Sequence, residues 1–192
     1  MKNTLRILLF CCVTIVSGQL HAQSTEMDPH MKAWTAYMTP GNEHMQLAKA
    51  VGDWKGSTKM WMDEGQEPMV MDSRVQCEMA LGGRYLTARY TGQMMGMPFE
   101  GISTMGYDNA AKKYVSSWVD NMGTGLMYME GRWRDDVKGI EIKGMAVDPM
   151  TGKEMKVRQI MMMKDANTQV IEMYMDMNGK EMKSMEITLT RM

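Results

Sequence analysis

From Trp54 onward the chain alternates apolar and polar side chains in short runs, and turn residues cut the runs at regular intervals. Met69, Met71, Val75, Cys77 and Met79 interleave with Asp72, Arg74, Gln76 and Glu78. Ile171, Met173, Met175 and Met177 interleave with Glu172, Tyr174 and Asp176. Trp54, Thr58, Met60 and Met62 do the same against Lys55, Lys59 and Asp63, with Trp61 as an interruption. A period of two places one set on each face of a pleated strand, so these runs predict half-buried strands. Nine turn signals divide about ten such strands. They fall at Glu64-Gly65, Gly82-Gly83, Gly96-Met97-Pro98, Asp108-Asn109, Asn121 to Gly123, Asp135-Asp136, Asp148 to Gly152, Ala166-Asn167 and Asn178-Gly179. Asn178-Gly179 suits a tight type I′ hairpin. No helix-length pattern intervenes after Gly52, so crossovers between parallel strands are ruled out. The fold class expected is all-β, an antiparallel up-and-down barrel or, failing closure, a sandwich.

The barrel has a helical preface. Asp28-Pro29 is a helix start, an N-cap acceptor followed by proline at the first helical position. Met31, Trp34 and Met38 then recur at spacings of three and four, which makes one apolar face. Pro40-Gly41-Asn42 breaks that helix. Glu43 to Val51 predicts a second one, ended by Gly52.

Residues 1–22 read as a secretory signal peptide. Lys2 and Arg6 supply the positive charge of its start, Leu5 to Val16 is a mostly apolar run, and Leu20-His21-Ala22 offers a cleavage edge before Gln23. The run is too short to span a bilayer. The domains expected are therefore the leader 1–22, the preface 23–50 and the barrel 51–192, in a protein exported to the periplasm or secreted. Cys11 and Cys12 leave with the leader, so Cys77 stands alone and is expected to be a buried thiol. The mature chain carries 20 basic and 23 acidic residues, a net charge of −3. No basic stripe invites nucleic acid. No later run is long enough for a membrane helix, and protein partners are not legible.

Composition matters for what fills the barrel. The mature chain holds 28 Met against 21 Leu, Ile, Val and Phe together. Met is a flexible filler that replaces aliphatics at conserved volume, and the aliphatic shortage is what filling predicts. The alternative is chemical. Thioethers are ligands for Cu(I), and Met-x-Met on a strand puts two sulfurs on one face. Met60, Met62, Met173 and Met175 are the candidate ligands on that reading. A related possibility is an oxidant sink at the exposed methionines of Met94-Met95-Gly96-Met97 and at Met150.

Gly52-Asp53-Trp54 at the entrance to the first strand resembles the G-x-W signature of the calycin group. Arg191 stands where that group lays an arginine over the tryptophan ring. A longer set extends the resemblance: His44, Leu47, Leu81-Gly82-Gly83-Arg84-Tyr85-Leu86, Phe99-Glu100-Gly101, Gly106-Tyr107-Asp108-Asn109, Tyr114, Trp118-Val119-Asp120, Asp148-Pro149, Gly152-Lys153 and Met185-Glu186-Ile187-Thr188. Together these residues look like the bacterial domain of unknown function 1579, over roughly residues 41–192. The resemblance implies a lipocalin-like or nitrobindin-like barrel. It implies no activity.

Catalytic signals are weak. There is no G-x-S-x-G elbow, no paired His or Cys for zinc and no EF-hand spacing. Haem is held by some nitrobindin-like barrels, but no His follows residue 44, so no barrel strand supplies a proximal one. His44 is expected to be a structural hydrogen-bonder. The reading that remains is non-enzymatic: a barrel without a cofactor that binds a small, largely apolar ligand. In the strands 84–92 and 113–120, Arg89, Trp118 and Asp120 are the candidate contacts if Tyr85, Thr87 and Tyr114 mark the inner face. Periplasmic Cu(I) binding or oxidant buffering is the alternative, and an enzyme without a recognisable motif comes third.

Overall fold

The computed structural model describes residues 27–63, 65–177 and 179–192. The expected leader lies outside the described residues, as do Glu64 and Asn178 of two expected turns. Two helices, α1 (Pro29–Met38) and α2 (Asn42–Ala48), precede ten strands. The strands are β1 (Gly52–Met60), β2 (Met69–Ala80), β3 (Tyr85–Met94), β4 (Met97–Asp108), β5 (Lys113–Asp120), β6 (Met127–Arg134), β7 (Gly139–Val147), β8 (Glu154–Asp165), β9 (Thr168–Met177) and β10 (Lys180–Arg191). Each strand pairs antiparallel with the next, and β10 returns to β1, so the sheet closes. Closure removes the exposed edges that would otherwise template aggregation.

The ladder fixes which face is inside. Trp54 pairs with Arg191 and Val75, Val75 with Tyr90, Tyr90 with Gly101, and Gly101 with Asp120. Partners across a ladder share a face, and Trp54, Val75 and Tyr90 are buried. The inner face is therefore the one that carries these residues.

An up-and-down barrel puts its turns alternately at two ends. One end is closed. His44 and Leu47 of α2 are buried, and α2 lies against β3 and β4. At the same end Arg191 donates to the carbonyl oxygens of Val51 (2.6 Å), Lys49 (2.9 Å) and Ala166 (2.9 Å). Its guanidinium carbon sits 4.1 Å from the centre of the Trp54 ring. The Trp54 indole donates to the Ala50 carbonyl at 2.9 Å. The other end carries the connections 61–68, 95–96, 121–126, 148–153 and 178–179. Among the described residues no helix lies over it.

α1 starts where the sequence predicts, with Asp28 accepting from the His30 amide. No residue of α1 is buried, and Met31, Trp34 and Met38 are exposed. The helix is tied to the barrel through its backbone. Asn109 donates to the carbonyls of Ala36, Tyr37 and Thr39, and Arg84 to that of Met38. Among the described residues no helix is long and apolar enough to cross a membrane.

Candidate ligand site in the barrel

Ten strands enclose more volume than eight, whose side chains just fill the lumen. Burial along the inner face is graded accordingly. Trp54, Val75 and Leu189 near the closed end are fully buried, as are Ile142 and Val157 on β7 and β8. Other inward side chains are only half-buried in mid-strand: Ser103, Met127, Gln159, Met161, Met173, Met175 and Ile187. These residues retain solvent-accessible surface although they face the barrel axis.

The inner face is almost free of charge. Along the described strands its charged side chains stand at the two ends: Arg191 at the closed end, and Asp120 and Lys180 at the opposite rim. Between them the polar groups are hydroxyls and amides, such as Thr58, Ser103, Ser116, Gln159 and Gln169. A few neutral hydrogen-bonding groups in an apolar wall are the usual furniture of a small-molecule site.

Trp118 and Asp120 both face inward, towards the open end. The Trp118 indole donates to Oδ2 of Asp120 at 2.6 Å, and the Met122 amide donates to Oδ1 at 2.9 Å. Asp120 thereby fixes the ring rather than waiting as a free carboxylate. Tyr90 meets the Trp118 ring edge-on at 5.2 Å, and Phe99 stacks on it at 6.4 Å. Gly101 makes this possible, because a Cβ there would overlap the Trp118 ring. Tyr90, Phe99 and Trp118 thus form an aromatic wall.

Arg89 is not part of it. The inner face of β3 is Leu86, Ala88 and Tyr90, so Arg89 points outward and pairs with Glu100 at 2.7 Å, both about half exposed. The alternation of β3 holds, but nothing in β3 alone says which set is inside. β3 and β5 face inward with opposite members of the sets expected from Tyr85 and Tyr114.

Cys77 is buried beside Trp54 and Ala88, and among the described residues it is the one free cysteine. Burial pushes its thiol up to about 11, against a smaller lowering by Arg191 and a raising by Asp53. A protonated buried thiol is not a nucleophile. Burial, then the neighbouring Cys77, also push the Tyr90 phenol up. His44 accepts from the Gly41 amide at 3.0 Å and meets Tyr107 edge-on, which is a structural role. Met62 lies beyond β1 and is 54% exposed, so it cannot share a face with Met60, Met173 and Met175, which point into the barrel. Among the described residues no three His, Cys, Asp or Glu side chains gather as a metal site. Met95, Met97 and Met150 are exposed, Met150 at 92%.

The outer face has a second depression, a groove of about 720 Å³ over β7 and β8. Most of its charged groups pair with one another. Glu141 is flanked by Arg134, Lys143 and Arg158, and Arg158 also grips Glu181 and lies 4.0 Å over the Tyr174 ring.

Residues 39–191 match the family described as Protein of unknown function (DUF1579). The chain belongs to this family. As a DUF1579 protein it is a ten-stranded closed barrel of calycin-like form, with Trp54 and Arg191 closing one end. No curated protein matches the chain.

Proposed function

We propose that this DUF1579 protein is an exported, non-enzymatic binder that holds a small, largely apolar molecule in the open half of its barrel. The observation that carries the reading is the pairing of accessible surface with missing charge on the inner face. Water in such a space is poorly partnered, and an apolar guest gains roughly 25 cal/mol for each Å² it removes from water. The aromatic wall of Tyr90, Phe99 and Trp118 offers flat contact area, and Ser103 and Gln159 offer single hydrogen bonds that orient a guest. Export is supported by the positive charges of Lys2 and Arg6 at the start of the mostly apolar run Leu5 to Val16.

Titration with N-phenyl-1-naphthylamine, a neutral dye that brightens in apolar surroundings, tests it. Saturable binding of one dye per chain, with quenching of Trp118, is expected. Ser103→Phe fills the space beside Trp118 and should weaken binding by about tenfold, roughly 1.4 kcal/mol. Arg89→Ala, on the outer face, should bind like the parent. Absence of saturable binding, or binding that ignores Ser103→Phe, would contradict the proposal.

A further inference from the structure

Four methionines stand in one row across four consecutive strands. Met60 of β1 pairs directly with Met69 of β2 on one side and with Met185 of β10 on the other, and Met185 pairs with Met173 of β9. All four face the barrel axis. Direct partners have Cβ atoms about 4.5–5.5 Å apart, and sulfur lies two bonds further out. On the concave side of a barrel wall, side chains lean together towards the axis, which lets flexible thioethers on neighbouring strands turn towards one another.

The row depends on an irregularity. The ladder between β10 and β9 slips between Lys183 and Met185, with Ser184 as the extra residue. Ser184 is held there, its hydroxyl donating to the Met173 carbonyl and its own carbonyl accepting from the Trp61 amide. Met182 faces inward opposite Met175. Strict alternation from Met182 would turn Met185 outward. The bulge turns it in, between Met60 and Met173.

These methionines also differ from the packed ones. Met105 and Met129 are 5% and 2% exposed, as core filler should be. Met60, Met173 and Met185 are half-buried, and Met69 is 38% exposed at the open end. Each keeps accessible surface, and the strand ends of β2 and β3 beside Met69 part to leave a cleft of about 610 Å³ that Met69 and Met71 line.

We propose that Met60, Met173 and Met185, with Met69 at the rim, form an all-thioether site for Cu(I). Neutral thioethers suit a soft monovalent cation. Zinc takes thiolate, imidazole or carboxylate ligands. Asp120, the inward carboxylate, stands three strands from Met69 and four from Met60 and Met173 around the barrel.

The test is anaerobic competition of the full chain against the bicinchoninate chelate of Cu(I). The parent should withdraw one Cu(I) per chain and leave Zn(II) with a comparable chelator. The triple variant Met60→Leu, Met173→Leu, Met185→Leu conserves volume, and circular dichroism checks its fold. It should bind Cu(I) at least about tenfold more weakly, the least that disturbing a metal's surroundings usually costs. Met95→Leu, Met145→Leu, Met150→Leu together should bind like the parent, as should Cys77→Ser. A parent that leaves the chelate intact, a triple variant that matches the parent, or loss of binding in Cys77→Ser would overturn the site. The naphthylamine titration reads the apolar site separately, so either proposal can fail alone.

Discussion

Arg191 does more than stack. Its three nitrogens satisfy three backbone carbonyls that come from the preface, from the end of that segment before β1 and from the β8–β9 turn, while its plane covers Trp54. Removing it strips a cation–π contact and leaves Val51, Lys49 and Ala166 to find other donors. Arg191→Ala should lower unfolding free energy by about 2–4 kcal/mol, read by urea denaturation. Arg191→Lys should recover little, because an ammonium has no planar fork. This contact was legible in the sequence through the resemblance of Gly52, Trp54 and Arg191 to the calycin signature. The place of Arg89 was not legible. Its neighbours on both faces of β3 mix apolar and polar groups, and only the ladder to β2 and β4 decides the side.

At the scale of the strand, alternation predicted ten elements and their order, because turn residues interrupt it cleanly. What alternation cannot show is a slip. One extra residue at Ser184 reverses the faces of everything after it, so the partnership of Met185 with Met60 and Met173 was hidden. Glu172 shows a second limit. It lies on the outer face of β9 as expected, yet it is half-buried, because Lys183 and Tyr174 close over it. β7 and β9 provide a contrast that tests the hollow interior. Ile142 of β7 is fully buried, and Ile142→Ala should cost about 2–5 kcal/mol as a cavity in packed core. Met175 of β9 also faces inward but borders accessible space. Met175→Ala should cost less than the low end of that range, about 1 kcal/mol, since its side chain is only partly buried. Equal, large losses in both variants would mean a filled barrel.

The whole molecule divides into an inside that is charged only at its ends and an outer face where charges pair. That division sets its response to acid. The Glu181 carboxyl sits below its usual value of 4.5 because Arg158 hydrogen-bonds it. Glu172 is raised by burial but carried below 4.5 overall by Lys183 and Tyr174. Groups with lowered folded values bind fewer protons folded than unfolded, so their contribution is full above about pH 4.5 and is lost as pH falls through the folded values. Both pairs are partly exposed, so the effect is modest and shrinks in salt. Thermal melts should be flat from neutral pH to about pH 5 and then fall, and Glu172→Gln with Glu181→Gln should blunt the fall. The central claim, that the open half of the barrel carries a small apolar guest, is tested most directly by native mass spectrometry of the protein purified from its own source. The account predicts a single added mass of one small molecule per chain, removed by organic solvent and reduced in Ser103→Phe. A bare chain mass, in a protein that also fails to take up added apolar probes, would contradict it.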